Sequence, residues 1–216
     1  MYKLCVFDMD GTVVDSIADI AAAMNRSLEK LGYKPYGVEE YCHMVGDGME
    51  MLCRRAIKSD DEKEVQKLIK LYKEDYFSHC CENSRIYDGM EEVIYALRKK
   101  GIRCAILSNK PDEQVKEISK KLFGADMFDE IWGYTPQFPV KPAPDSLLAM
   151  IERLGAKRHE VAYIGDSDVD VRLGKAAQVF TVGVSWGLRG EQELLKEGAD
   201  AIVKTPEKLI SILLEK

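Results

Sequence analysis

The stretch Tyr2-Lys3-Leu4-Cys5-Val6-Phe7-Asp8-Met9-Asp10-Gly11-Thr12-Val13 decides how the remainder of the chain is read. Residues 2–7 read as a strand that ends on two carboxylates one residue apart. Strand side chains at i and i+2 share a face, so the spacing predicts that Asp8 and Asp10 converge where the strand ends. Gly11 lets the chain turn there without steric cost. Two acids at the mouth of a buried strand are costly unless something cationic sits between them. A Mg2+ ion and a phosphate ester would account for both.

Short apolar runs alternate with helical patterns along the chain. Strands are expected at 4–8, 103–108, 161–165, 179–184 and 201–203, each bounded by Gly, Asp, Asn or Lys. None shows an alternating polar face, which is how parallel strands buried on both sides read. Between them, Asp88 with Glu91 three residues on has the spacing of a capping box, Val93, Ile94 and Leu97 follow at helical spacing, and Gly101 stops the helix. Pro111 opens the next helix, with Val115, Ile118 and Leu122 on one face and Gly124 after it; Thr205-Pro206 starts the last. This βαβ rhythm predicts an α/β fold, a Rossmann-like doubly wound parallel sheet with right-handed crossovers.

Residues 15–85 break the rhythm with helices alone. Ser16 and Asp19 are expected to cap a helix carrying Ile17, Ile20, Ala21, Met24, Leu28 and Leu31, with two more helices near 47–57 and 60–81. The expected organisation is a core of residues 1–14 and 86–216 with an inserted helical cap domain at 15–85. An insert leaving the carboxyl end of a strand sits above the mouth of the sheet, where such folds bind ligands.

The 216 residues suffice for one good core and a smaller module. An apolar fraction of 46% and a charged fraction of 31% are ordinary for a soluble globular chain. The net charge of −6 argues against nucleic acid or an anionic membrane as the main partner. No apolar run approaches the ~20 residues that span a bilayer, and no secretory leader is visible at the N-terminus. The six cysteines form no C-x-x-C pair. His79-Cys80-Cys81 lacks a second cluster to complete a metal site. Reduced thiols and a cytoplasmic location are the expectation.

Three further polar clusters end strands or occupy loops that topology should return to the edge holding Asp8 and Asp10. They are Ser108-Asn109-Lys110, Lys141-Pro142-Ala143-Pro144-Asp145 and Asp166-Ser167-Asp168-Val169-Asp170. With these four motifs in order, and an insert after the first, the chain resembles the haloacid dehalogenase superfamily of phosphatases, and within it phosphoglycolate phosphatase-like enzymes. The insert looks like that family's helical cap.

The resemblance implies hydrolysis of a small phosphate monoester through an aspartyl-phosphate, with a small phosphorylated metabolite as partner. Such esters react extremely slowly unaided, and a carboxylate nucleophile divides the reaction into two easier steps. Asp8 takes that role by resemblance. Asp10 protonates the leaving oxygen and then activates water, its backbone carbonyl also binding the metal. Asp8 and Asp166 complete the Mg2+ site, with Asp170 behind them; hard oxygen donors suit Mg2+ better than Zn2+. Ser108 and the backbone N–H of Asn109 hold phosphate oxygens, Thr12 orients the phosphate or Asp10, and Lys141 neutralises Asp8 and the transferring group.

Asp10 separates this reading from the dehalogenases, which lack the second acid, and Thr12 favours a phosphatase over β-phosphoglucomutase-like mutases. That mutase, a pyrophosphatase or nucleotidase of the same superfamily, and a non-catalytic phosphoacceptor domain are the alternatives; the last leaves Asp10 and the lid without a task. Gly174 and Gln178 depart from the Ala and Gly more usual in the family. In the insert, Gly46-Asp47-Gly48 reads as a loop over the substrate, followed by Arg54, Arg55 and Lys58 as a cation source or a solvated face. Gly183-Val184-Ser185-Trp186-Gly187 mimics a nucleophile elbow, but every histidine precedes Ser185, against the order that fold requires. Asp166, Asp168 and Asp170 mimic a calcium loop that Val171 and Ala177 break. Monomer and homodimer both remain open.

Overall fold

Leu4, Cys5, Val6 and Phe7 lie fully buried at the centre of a six-stranded parallel sheet in the structure, a computed structural model that describes residues 2–215. The end residues of the expected core, Met1 and Lys216, lie outside the described residues. The strands are β1 (Leu4–Phe7), β2 (Val14–Asp15), β3 (Arg85–Ile86), β4 (Arg103–Pro111), β5 (Glu130–Tyr134), β6 (Val161–Gly165), β7 (Phe180–Val184) and β8 (Ala201–Val203). The sheet order is β5-β4-β1-β6-β7-β8, and β2 pairs separately with β3. Alternate residues of the central strands enter two different cores. Cys5, Phe7, Cys104, Ile106, Ala162 and Ile164 face one, and Leu4, Val6, Ala105, Leu107, Val161 and Tyr163 the other. Burial on both faces is why these strands read as unbroken apolar runs.

The edge strand β5 lies outside the expected strands. It pairs with β4 through Ile106↔Ile131 and Leu107↔Trp132, but its residues are only partly buried and Gly133 interrupts it. An edge strand with one covered face carries no continuous apolar signal.

The helices are α1 (Ile17–Lys30), α2 (Val38–Tyr41), α3 (Met49–Ile57), α4 (Glu62–His79), α5 (Met90–Lys99), α6 (Asp112–Phe123), α7 (Asp145–Arg153), α8 (Asp168–Ala177), α9 (Glu191–Glu197) and α10 (Pro206–Leu214). Pro111 and Gly124 bracket α6, and Thr205-Pro206 opens α10, as the sequence predicts. The expected caps of two other helices do not form. α5 starts after Gly89 with no side-chain cap, so Asp88 and Glu91 build no box. Ser16 precedes α1 but makes no cap bond; its hydroxyl donates to Asp10 Oδ1.

Asp19 turns inward rather than capping. Its carboxylate accepts the backbone N–H groups of Cys81, Asn83 and Ser84, together with Asn83 Nδ2 and Ser84 Oγ, at 2.6–3.1 Å. The start of α1 is thereby tied to the chain leaving α4. The antiparallel pair β2–β3 joins the same outgoing and returning segments, with Val14 opposite Ile86. Both devices hold the helical segment α1–α4 to the carboxyl end of β1.

The departures at 174 and 178 have structural counterparts. Gly174 lies against β7, where an added Cβ would collide with Thr181 Oγ1. Gln178 ends α8 in the left-handed region at φ 58°, a conformation that glycine adopts more easily. All six cysteines are free. Among the described residues, no helix is long and apolar enough to cross a membrane.

Candidate active site

Phe7 pairs with Ile106 on one side and Ile164 on the other. Asp8 therefore leaves β1 at the level where β4 reaches Ser108 and β6 runs on to Asp166. Parallel strands and one register bring three distant motifs to a single edge.

The two acids of the first motif meet for a different reason than strand alternation. β1 ends at Phe7, and the chain folds into a tight turn in which the N–H groups of Thr12, Val13 and Val14 all donate to the carbonyl of Met9. This turn swings Asp10 over the same cleft as Asp8. Gly11 is required twice: its φ is +85°, and a Cβ there would collide with the Asp166 carboxylate.

Lys141 is the hub beneath Asp8. Its side chain is 3% exposed, and Nζ lies 2.8 Å from Asp8 Oδ1 and 2.8 Å from Asp170 Oδ1. It also donates to the Tyr163 hydroxyl at 3.0 Å, which itself donates to Asp170 Oδ1 at 2.9 Å. Asp170 is placed by local structure, because Ser167 and Asp170 form the capping box of α8. Ser167 Oγ donates to Asp170 Oδ2 at 2.6 Å, and the Ser167 N–H donates to the same oxygen at 3.2 Å. Both Asp170 oxygens are thus engaged by protein. Asp168 pairs with Arg172 on the helix surface.

Asp166 is 1% exposed and accepts from the Leu188 N–H at 2.7 Å and from Thr12 Oγ1 at 3.2 Å. Thr12 was expected to address the phosphate or Asp10. It is fully buried, and its hydroxyl goes to Asp166 instead. Each of Asp8, Asp166 and Asp170 offers a carboxylate oxygen, and the three atoms lie within 4.8 Å of one another. Burial raises the Asp8 carboxyl to about 7; Lys141 pulls it back, while Asp170 and Asp10 push it up. Burial, Asp170 and Asp8 hold Asp166 well above the usual carboxylate range.

Asp10 has its own cation. Lys110 Nζ lies 2.8 Å from Asp10 Oδ1 and 2.9 Å from the Tyr76 hydroxyl, 4.6 Å above the Tyr76 ring centroid. Among the described residues, Asp10 Oδ2 makes no hydrogen bond. The sequence alone assigns Lys110 no task. Its position directly after Ser108-Asn109 at a strand end was the available signal. Ser167 was legible in the same way, as the first residue of a Ser-x-x-Asp pattern. Nothing in the sequence singles out Tyr163 or Leu188.

Ser108 and Asn109 line the cleft with Asp8 and Asp10. The Asn109 side chain works as a clamp. Its Oδ1 accepts the Lys141 N–H at 2.7 Å, and Nδ2 donates to the carbonyls of Lys141 and of Gly46 at 3.0 and 2.9 Å. The Gly46-Asp47-Gly48 loop does reach the cleft, through Gly46 and Gly48. Arg54, Arg55 and Lys58 do not line it. Arg54 pairs with Glu50 and Glu62, Arg55 with Asp47, and Lys58 lies over Tyr36. The cleft's basic residues are Lys110 and Arg189, and the latter donates to the carbonyl of Val45 at 3.0 Å. Counting its solvent-open part, the cleft holds about 600 Å³ and is walled by Ile20, Val45, Met49 and Leu52.

Known proteins resemble this chain in sequence and fold. The sequence profile of the haloacid dehalogenase-like hydrolases matches residues 5–184. The phosphoglycolate phosphatase of Pseudomonas putida is 32% identical over 93% of this chain and 76% of its own length. That of Aquifex aeolicus is 28% identical over 98% of this chain and 96% of its own. A crystal structure from Lactobacillus delbrueckii subsp. bulgaricus, provisionally designated a phosphoglycolate phosphatase, superposes with a TM-score of 0.94 at 31% identity. It covers 100% of this chain and 99% of that one.

Proposed function

The chain belongs to the haloacid dehalogenase-like hydrolase family, and on that basis we propose that it hydrolyses a small, phosphoglycolate-like phosphate monoester through a phosphoryl group carried on Asp8. One observation carries the reading. Two carboxylates share a cleft with separate cationic partners, Asp8 on Lys141 and Asp10 on Lys110. Paired acids in different surroundings can divide nucleophile and proton-transfer duties.

The residues fit a divalent cation. Three buried carboxylates converge on one point, Lys141 pairs with Asp8 and Asp170, no cationic side chain pairs with Asp166 among the described residues, and the carboxylate oxygens are hard donors. Asp8 and Asp166 would hold the ion, while Asp170, with both oxygens engaged, would stand behind and position Lys141. When bound, Mg2+ supplies positive charge to the phosphoryl oxygens.

The chain's own groups do the rest in this proposal. Asp8 Oδ2, which makes no hydrogen bond among the described residues, attacks phosphorus. Lys141 holds Asp8 Oδ1 and keeps that carboxylate oriented. Asp10, through its free Oδ2, gives a proton to the leaving oxygen and later takes one from the attacking water. Ser108 and the backbone of Asn109 cradle the phosphate. Thr12 orients Asp166. The helices α1–α4 act as a lid whose apolar wall keeps bulk water from the intermediate.

Phosphate release over a panel of small phosphorylated metabolites tests this reading. Asp8→Asn should lower turnover by at least ~10³-fold while the circular-dichroism spectrum and melting are retained. Excess chelator should abolish wild-type activity, and Mg2+ should restore it. Undiminished activity in the variant or in chelator contradicts the proposal.

A further inference from the structure

α6 begins where β4 leaves the sheet, so its first turn meets the cleft. Its buried face runs Gln114, Val115, Ile118, Ser119 and Phe123. Gln114 stands one turn from Ile118, on the face where a helix normally carries aliphatic residues. It is 1% exposed, lines the cleft together with Asp8 and Asp10, and its Nε2 has no hydrogen-bond partner. The side-chain amide makes no hydrogen bond to any described residue, so no neighbour fixes which of its O and N faces the cleft. A buried amide left unpaired is a cost that an apolar residue of similar shape would avoid.

The surroundings of Gln114 narrow what it meets. Tyr72, 4% exposed, lines the same cleft, and its hydroxyl makes no hydrogen bond among the described residues. Lys110 is already engaged by Asp10 and Tyr76. Arg189 is held by the Val45 carbonyl, His43 and Glu193, and the wall around them is mainly apolar, with Ile20, Val45, Met49 and Leu52. Beyond the phosphate end, Gln114 and Tyr72 are thus the uncharged polar groups left without a hydrogen-bond partner among the described residues, in a largely apolar lining.

We propose that Gln114 is a specificity residue whose Nε2–H donates to an oxygen acceptor on a short leaving group, selecting phosphate esters of small hydroxylated or carboxylated alcohols. The inference rests on the phosphatase reading above and assigns the part of the substrate that the phosphate chemistry does not touch.

Three esters of similar size separate the outcomes: 2-phosphoglycolate, 2-hydroxyethyl phosphate and ethyl phosphate, the last having no acceptor beyond the phosphate. Gln114→Leu should raise KM at least about tenfold for the ester whose acceptor is recognised, the size expected for one lost hydrogen bond to a buried donor. It should leave ethyl phosphate within about twofold, and its melting temperature should not fall. A loss on 2-phosphoglycolate identifies a carboxylate, and a loss on the hydroxyethyl ester a hydroxyl. Gln114→Glu keeps the shape and replaces the donor with an acceptor, so it should show the same selective loss and serves if the leucine variant does not fold. An equal change on all three esters, or none, overturns the inference while the phosphatase reading stands. Wild-type protein that releases phosphate from no ester overturns both.

Discussion

At the scale of single residues, the site turns on Lys141. Burial works to lower the pKa of its ammonium group, yet Asp170 and Asp8 hold it well above the ordinary lysine value, so it stays charged. Two carboxylates depend on that charge at 2.8 Å each. Lys141→Met leaves both buried without a counter-ion and should cost about 3–5 kcal/mol in metal-free denaturant unfolding at pH 8; an unchanged midpoint would mean that the pair contributes nothing. The pH dependence follows from the raised Asp8 and Asp166. In the fold these groups keep protons that the unfolded chain releases above about pH 4. Metal-free wild-type stability should therefore fall as pH rises from about 4 through 7, and saturating Mg2+ should remove the decline. Stability that rises over this window without metal would contradict the assignment.

At the scale of elements, inner strands and the proline-marked starts of α6 and α10 are readable, while the side-chain caps expected at α1 and α5 do not form. β1, β4 and β6 announce themselves because both faces are buried, whereas β5 is half-covered and has Gly133 in its middle. The spacings at Asp88–Glu91 and Ser16–Asp19 fit helix starts, but a carboxylate chooses the best donors in three dimensions, and for Asp19 these come from residues 81–84. Burial opposes ionisation of Asp19, and the hydrogen bonds from Ser84 and Asn83 more than offset it, so its pKa is lowered. A lowered carboxylate stabilises the fold above its unfolded pKa of about 3.9, and that contribution is lost as pH falls through the folded value. Asp19→Asn should accordingly be less stable by about 1–3 kcal/mol at pH 7, with the gap narrowing toward pH 3; a gap independent of pH would count against it. At the end of α8, Gln178→Gly should raise stability by about 1 kcal/mol by relieving the left-handed backbone, less whatever the Arg158–Gln178 hydrogen bond contributes. A lower melting temperature for that variant would show the bond to be the larger effect.

At the scale of the whole molecule, one sheet edge gathers residues that are more than a hundred positions apart, and the helical segment closes over them. Asp8, Ser108 and Asp166 are legible in sequence because each lies at or just past the carboxyl-terminal part of a buried strand, and a parallel sheet sends all such ends to the same side. Lys141 stands out by its rigid proline-flanked turn. Tyr163, Leu188 and Gln114 look like ordinary residues until their neighbours are known, since their tasks are set by contacts across the fold. The helical segment is joined to the sheet edge through Asn109 to Gly46 and Arg189 to Val45, and its apolar side chains line the cleft with the acids. The proposed function rests on a phosphoryl group carried on Asp8. Asp10→Asn protein mixed with Mg2+ and p-nitrophenyl phosphate, whose leaving group needs no proton, should release about one equivalent of nitrophenolate per site and then slow, because hydrolysis of the intermediate lacks its base. Acid quenching followed by peptide mass mapping should then find one phosphoryl group on the peptide carrying Asp8. An unmodified Asp8 peptide, with nitrophenolate released at a steady rate and no burst, would contradict it.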